Sequence, residues 1–321
     1  MNAVPSAEPF RARRRIGDRF GDLFLHGLTG AAAALALVVL GLIAWKLFDG
    51  ASLAFSKFGL DFVTGTVWDT NRQLFGAGNF LYGTAVTAFG TLLLATPISL
   101  AIALYLSELA PGGVRGAVGA LVELLAAVPS VVLGLWGILV MGPFVARHVE
   151  PTLHSALGFI PLFNGPYSPV GFLPAILILT IMVVPITTSI CRELFLSVPT
   201  ELEEGALALG STRWEMVRGV VFPYTRSGIA AAVILGLGRA IGEAIAVAQV
   251  IGGFGRITAH LFDNGDTLAA KIALSYIGAE TKLQLSSIIY LAAILLVIAL
   301  IVNGAAQLIV NRFEHQRTGG S

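Results

Sequence analysis

Charge is what this chain has least of. Asp, Glu, Lys and Arg make up 12% of its 321 residues, against roughly 25% in soluble domains. A soluble chain this long could not keep its surface hydrated with so few charges. Cysteine occurs once, as Cys191, which excludes an intramolecular disulfide. The histidines (His26, His148, His154, His260 and His315) are scattered without metal-ligand spacing, so no metal site is expected. No G-x-x-x-x-G-K-[ST] loop occurs, so a nucleotide would have to be held elsewhere. No nucleophile–base constellation appears, which argues against an enzyme. A net charge of +1 gives nucleic acid nothing to bind.

Apolar residues fill the space that charge leaves. They are 56% of the chain, and the mean hydropathy is +0.84. A membrane-spanning helix needs roughly 20 apolar residues. Six runs qualify, at about 28–48, 81–107, 120–145, 171–191, 225–251 and 284–310. The predicted fold class is therefore an all-α polytopic membrane protein with six transmembrane helices. Pro97, Pro129 and Pro185 fall within these runs, which lipid-embedded helices tolerate when neighbours satisfy the freed carbonyls. The expected organisation is a basic segment over 1–27, one transmembrane domain over 28–311 and a tail over 312–321. The first run is longer than a signal peptide's apolar core and reads as a retained helix.

Basic residues set the orientation. With the N-terminus in the cytoplasm, and with Lys46 and Arg226 at the span ends counted in the segments they adjoin, the inner segments hold twelve Lys and Arg and the outer ones seven, with Arg239 in neither set. "RARRR" at 11–15 is the strongest single vote. Both termini are then cytoplasmic, and the protein is a multi-pass protein of the cytoplasmic (inner) membrane. The outer loop 49–79 is aromatic and mixed, fit for short helices or turns. The outer loop 149–170 is turn-rich, with Pro151, Pro161, Pro166 and Pro169.

The inner loop at about 197–224 carries more information. Thr200 precedes Glu203 by three residues, and Thr212 precedes Glu215 by three. Each pair fits a capping box. Gly210 lies between them, where a glycine ends a helix. Two short amphipathic helices are predicted, with Leu202, Ala206 and Leu209 on one face of the first. Trp214, Val217 and Val221 share a face of the second.

From Glu204 to Pro223, "EGALALGSTRWEMVRGVVFP" resembles the signature loop of ABC-importer permeases. Glu204, Ala206, Gly210, Val220 and Pro223 match at the right spacing. Gly205 and Phe222 depart mildly from the usual alanine and leucine. The resemblance implies a type I importer fold in which this loop docks on a separate ATP-hydrolysing subunit. "ELLAAVPSVVLGLWG" (123–137), "SELAPGG" (107–113), "FVTGTVW" (62–68) and "GRAIGEAIAV" (238–247) narrow it further. Together they are similar to PstC-type permease subunits of the bacterial phosphate importer, over nearly the whole chain between the first and sixth spans. That resemblance implies a heterodimer with a PstA-type second permease. It also implies two PstB-type ATPase subunits that bind ATP and magnesium, and an external PstS-type phosphate-binding protein. No cofactor is expected in this chain itself.

The expected substrate pathway rests on Arg239 and Glu243. Ionisable residues inside a span are expensive and mark function by default. They are four residues apart, so one helix would bring them together. A guanidinium matches oxyanion geometry in bidentate fashion; Glu243 would be its switchable counter-charge. The resemblance supports the same two residues, since the arginine and glutamate of this helix are regarded as transport residues in that family. The bland alternative is an intrahelical pair that only lets the helix insert. Glu123 is a second intramembrane carboxylate, a possible pathway residue or a charge paired with Arg115. Gly238 and Gly242 form a G-x-x-x-G step that reads as close helix packing. Two other readings stay open: a permease for sulfate or molybdate, and a carrier or scaffold that works without ATP.

Overall fold

The computed structural model describes residues 16–318, with side chains over 23–308 and at Val310. The basic 11–15 segment and the end of the expected tail lie outside the described residues. In chain order the elements are α1 (Ile16–Phe58), α2 (Asp61–Thr64), a hairpin of β1 (Trp68–Asp69) and β2 (Leu74–Phe75), α3 (Gly78–Leu104), α4 (Gly112–Ala126), α5 (Ser130–Trp136), α6 (Gly142–Phe144) and α7 (Glu150–Leu157). Then come α8 (Phe172–Leu196), α9 (Thr200–Ala208), α10 (Arg213–Met216), α11 (Phe222–Gly242), α12 (Ile245–Val250), α13 (Leu268–Ser275) and α14 (Lys282–Thr318). Five-residue π turns extend α3 and join α5 to α6, α6 to α7 and α10 to α11.

Six helical stretches among the described residues are long and apolar enough to cross a membrane. They are Leu23–Phe58, Gly78–Leu109, Ser130–Leu157, Phe172–Leu196, Arg213–Gly242 and Lys282–Leu308. The chain divides into two units. The first, up to Asp49, is mostly the leading part of α1, and the second, from Gly50, is the helix bundle.

Two of the helices expected from the sequence are broken. The run 120–145 is interrupted after Ala126, and a new helix starts at Ser130. Pro129 holds φ −60° and ψ 137° there, and a residue before proline is pushed out of helical geometry. The run 225–251 is interrupted at Glu243, whose ψ is 114°. Conversely, α10 is not a separate short helix. It runs through its π turn into α11 as one rod from Arg213 to Gly242.

Helix α8 is the centre of the bundle. It packs on α3, α4, α11 and α12, and most of its residues from Phe172 to Val183 are buried. Lipid is as apolar as leucine, so close packing and not burial from water holds such helices together. Gly134 shows the demand on size. A Cβ there would lie 2.8 Å from the Ala246 Cα and from the Gln249 side-chain oxygen, so α5 and α12 meet nearly backbone to backbone.

The segment 251–267 closes one end of the bundle over the start of α8. The N–H groups of Gly171, Phe172 and Leu173 have no partner within their own helix. They donate to the carbonyls of Val250, Asp263 and Leu261, at 2.8, 3.1 and 2.9 Å. Asp266 is buried in this segment, 2% exposed, and accepts the Thr267 N–H at 2.9 Å. Burial pushes its carboxyl up to about 6, partly offset by Lys271 and by the Thr267 bond. The folded protein therefore holds this proton more tightly than the unfolded chain. Stability falls as pH rises from the unfolded value near 4 through 6, and the loss is complete above that. The cost at neutral pH is on the order of 3 kcal/mol. Asp266→Asn is expected to raise the melting temperature of the purified protein at pH 8 and to leave it unchanged at pH 4. Equal melting curves at pH 8 would count against it.

Candidate functional site

The site begins where α11 stops. Gly242 is the last helical residue; Glu243 is extended, and α12 starts at Ile245. A break in a membrane-spanning segment frees backbone groups, which is tolerated where the break lines a cavity or is buried in protein. Here it does line a cavity, of about 760 Å³. Arg239 lies in the last turn of α11, where a cation is favoured by the helix dipole. The Glu243 carboxylate reaches forward and accepts the Ala246 N–H at 3.4 Å. The two side chains approach to 4.0 Å.

Both line the cavity. The geometry differs from that of a pair on one continuous helix, because Glu243 belongs to the bend. The Arg239 side chain is 39% exposed and that of Glu243 11%. A neutralising pair has no need to open into a cavity. Its other walls, from α8, α11 and α14, are almost wholly apolar. Asn303 of α14 supplies the one neutral polar side chain among the described lining residues, and it is not among the site residues expected from the sequence. The signal was available: Asn303 ends an uninterrupted apolar run from Leu291 to Val302.

Gly238 and Gly242 do not pack against another helix among the described residues. A Cβ on either meets nothing within 4 Å, and both line the cavity. Gly236 is the packed glycine, where a Cβ would lie 2.9 Å from Val183. Glu123 sits elsewhere, exposed on α4 and outside this cavity. It forms no ion pair with Arg115, which donates instead to the Ser107 carbonyl at 2.6 Å. Glu150, placed in an outer loop by the sequence reading, is instead fully buried at the start of α7. It accepts the Ser168 N–H at 2.9 Å.

The 197–224 loop has the predicted turn. Gly210 has φ +87°. Its N–H donates to the Leu207 carbonyl at 3.0 Å, and the Ser211 N–H donates to the Ala206 carbonyl at 3.3 Å. That pair of bonds is a Schellman closure of α9. The Thr212–Glu215 capping box forms with both reciprocal bonds. The Thr200–Glu203 box does not. Pro199, with its fixed φ, takes the N-cap position, so Thr200 is already inside the helix. Leu202, Ala206 and Leu209 do not make one buried face either. Ala206 is half-buried, but Leu209 is 91% exposed just past the helix end. Val217 and Val221 are buried, while Trp214 on the predicted face with them is 61% exposed. Glu204 and Pro223 are exposed.

A second, smaller cavity of about 390 Å³ lies at this end, lined by Glu108, Glu203, Arg213 and Trp214 among others. Arg213 donates to the Glu108 carbonyl at 3.3 Å. Burial, and secondarily the charge of Glu108, pushes the Glu203 carboxyl upward.

Known proteins resemble this chain throughout. A family model described as "binding-protein-dependent transport system inner membrane component" matches residues 95–315. A protein of Mesorhizobium japonicum named "phosphate transport system permease protein PstC" is 42% identical over 99% of this chain and 100% of its own length. A Haemophilus influenzae protein of the same name is 36% identical, covering 96% and 98%. Among solved structures, a bacterial alginate ABC transporter in complex with a pentasaccharide-bound periplasmic protein matches with a TM-score of 0.56 at 20% identity. It covers 91% of this chain and 98% of its own, and that likeness bears on the fold alone.

Proposed function

We infer, for a chain that belongs to the binding-protein-dependent transport inner-membrane components, that it is the transmembrane permease subunit of an ATP-driven importer of inorganic phosphate in the cytoplasmic membrane. The match of the whole chain to phosphate permeases supports the substrate, and the cavity at the break after α11 supports the route. ATP and magnesium belong to separate ATPase subunits docked on the 197–224 loop, with both termini of this chain on their side. A second, PstA-type permease completes the pathway, and an external PstS-type protein delivers phosphate.

Arg239 receives the anion. Its guanidinium offers a planar fork of donors to two phosphate oxygens. Its pair with Glu243 is long, 4.0 Å, and half-open, so phosphate can displace the carboxylate without breaking a strong bond. Glu243 does not drift away when displaced, because the Ala246 N–H holds it. Its negative charge then weakens the hold on phosphate, and this favours release. Affinity must be high enough for occupancy and low enough for departure.

Coupling needs no elaborate relay. Arg213, next to the Thr212 cap, and Arg239, in the cavity, lie on one rod. At 1.5 Å per residue they are about 40 Å apart. A displacement of the docked end moves the anion site with it. Glu204, Ala206, Gly210 and Pro223 shape the docked end.

Labelled-phosphate uptake in cells lacking other phosphate carriers tests the substrate. The assembled importer should restore uptake that excess sulfate or molybdate does not inhibit. Inhibition by either at equal concentration would favour the broader oxyanion reading. Glu243→Gln should lower uptake several-fold while phosphate stays bound to the purified complex, since Arg239 then keeps its anion. Faster uptake than in the unaltered complex would remove Glu243 from the release step.

A further inference from the structure

We propose that Asn303 is a second phosphate contact, a release station on the route from Arg239 toward the 197–224 end of the bundle. The proposal rests on the phosphate-permease reading. Its basis is the placement of one side chain. Asn303 lines the same cavity as Arg239 and Glu243. It follows twelve consecutive apolar residues, Leu291 to Val302. It is exposed and makes no hydrogen bond among the described residues.

Position along α14 gives the direction. Ala292 and Asn303 both line the cavity, and the helical rise puts them about 16 Å apart. Further on, Val310 shares a separate groove with Tyr224 and Ala231, near the start of α11. Asn303 therefore lies on the side of the cavity nearer the docked loop. An anion leaving Arg239 in that direction meets an otherwise apolar wall. A bare apolar passage strips water from phosphate without replacement, which is costly.

The carboxamide suits this place. Its NH₂ gives two donors to phosphate oxygens. Hydrogen bonds from a neutral donor to an anion are weaker than those of a guanidinium, whose bonds are charged on both sides. The anion therefore passes from a strong site to a weaker one nearer the exit, the order that conduction requires. The plainer role for an asparagine near the end of a span is to meet water or a neighbouring helix. The two roles differ in what they ask of charge. An interfacial residue tolerates carboxylate, whereas a phosphate contact does not.

The test uses the complete importer, with labelled-phosphate uptake scaled to subunit abundance. Asn303→Leu is expected to lower the maximal rate about tenfold, with half-saturating phosphate unchanged. Asn303→Ser, which keeps one donor, should retain a third or more of the rate. Asn303→Asp is nearly isosteric but lacks the donors and repels the anion, so it should fall below Asn303→Leu. An Asn303→Asp rate equal to that of the unaltered importer overturns the inference. So does an equal loss in all three variants, which would mark a packing role. Absence of phosphate uptake by the unaltered importer would overturn the phosphate reading and this inference together. Normal uptake with an unaffected Asn303→Asp overturns this inference alone.

Discussion

Arg239→Gln is expected to bring phosphate uptake close to zero while the importer still assembles. The variant keeps a polar side chain with an NH₂ donor, but it is shorter and loses the charge and the guanidinium fork. Hydrogen bonds to charged groups contribute about 1.5–3 kcal/mol each. Loss of one or two of them corresponds to a fall in anion affinity of roughly tenfold at the least and about ten-thousandfold at the most. Folding should survive, for three reasons. The side chain is 39% exposed and its contact to Glu243 is at the outer limit of an ion pair, 4.0 Å. A pair this long, and open on the Arg239 side, contributes little to stability. Glu243 also keeps the Ala246 N–H as its own partner. Arg239→Lys should recover part of the uptake, because an ammonium carries the charge but not the planar fork. The measurement is labelled-phosphate uptake beside quantified subunit levels. Unaltered uptake by Arg239→Gln, or a loss explained wholly by missing protein, would return the pair to the role of letting the helix insert.

Gly210→Val should uncouple ATP hydrolysis from transport. The backbone at Gly210 has φ +87°, where a β-branched residue is a true outlier. Holding a side chain there costs on the order of 1–3 kcal/mol. No neighbour complicates the result, since a Cβ at this position meets nothing within 4 Å. The effect is therefore one of backbone conformation alone. The turn would open, the bonds from Gly210 and Ser211 to the α9 carbonyls would be lost, and α9 would no longer be held against the start of the long rod. Asparagine visits the left-handed region readily, so Gly210→Asn should remain near normal. ATP hydrolysis by the purified complex, with and without the phosphate-loaded binding protein, reads the coupling. Stimulation that is the same for Gly210→Val and the unaltered complex would detach the turn from coupling.

The extent of what could be read in advance follows from the range of each interaction. Gly210 and the Thr212–Glu215 cap were legible because their chemistry is confined to a few neighbouring residues. The Thr200–Glu203 cap looked equally sound. It failed because Pro199 took the N-cap position, and the pattern alone does not rank two neighbouring starts. The G-x-x-x-G step at Gly238 and Gly242 suggested a packed face. A helix offers the same small residues to a neighbour or to a cavity, and only the arrangement of α8 and α14 decided which.

The sequence by itself determined the membrane class, the number of spans and the identity of Arg239 and Glu243 as the anomalous charges. Each depends on composition over one helix length, and the cost of charge in lipid makes exceptions conspicuous. Tertiary structure decided that the fifth run breaks at Glu243, that the break opens on a cavity, and that Asn303 from a helix some sixty residues away faces the same space. A helix can end inside a span only where the break lines a cavity or is buried in protein. The walls of this cavity come in part from α8 and α14, distant in sequence, so the site exists only once the chain has packed.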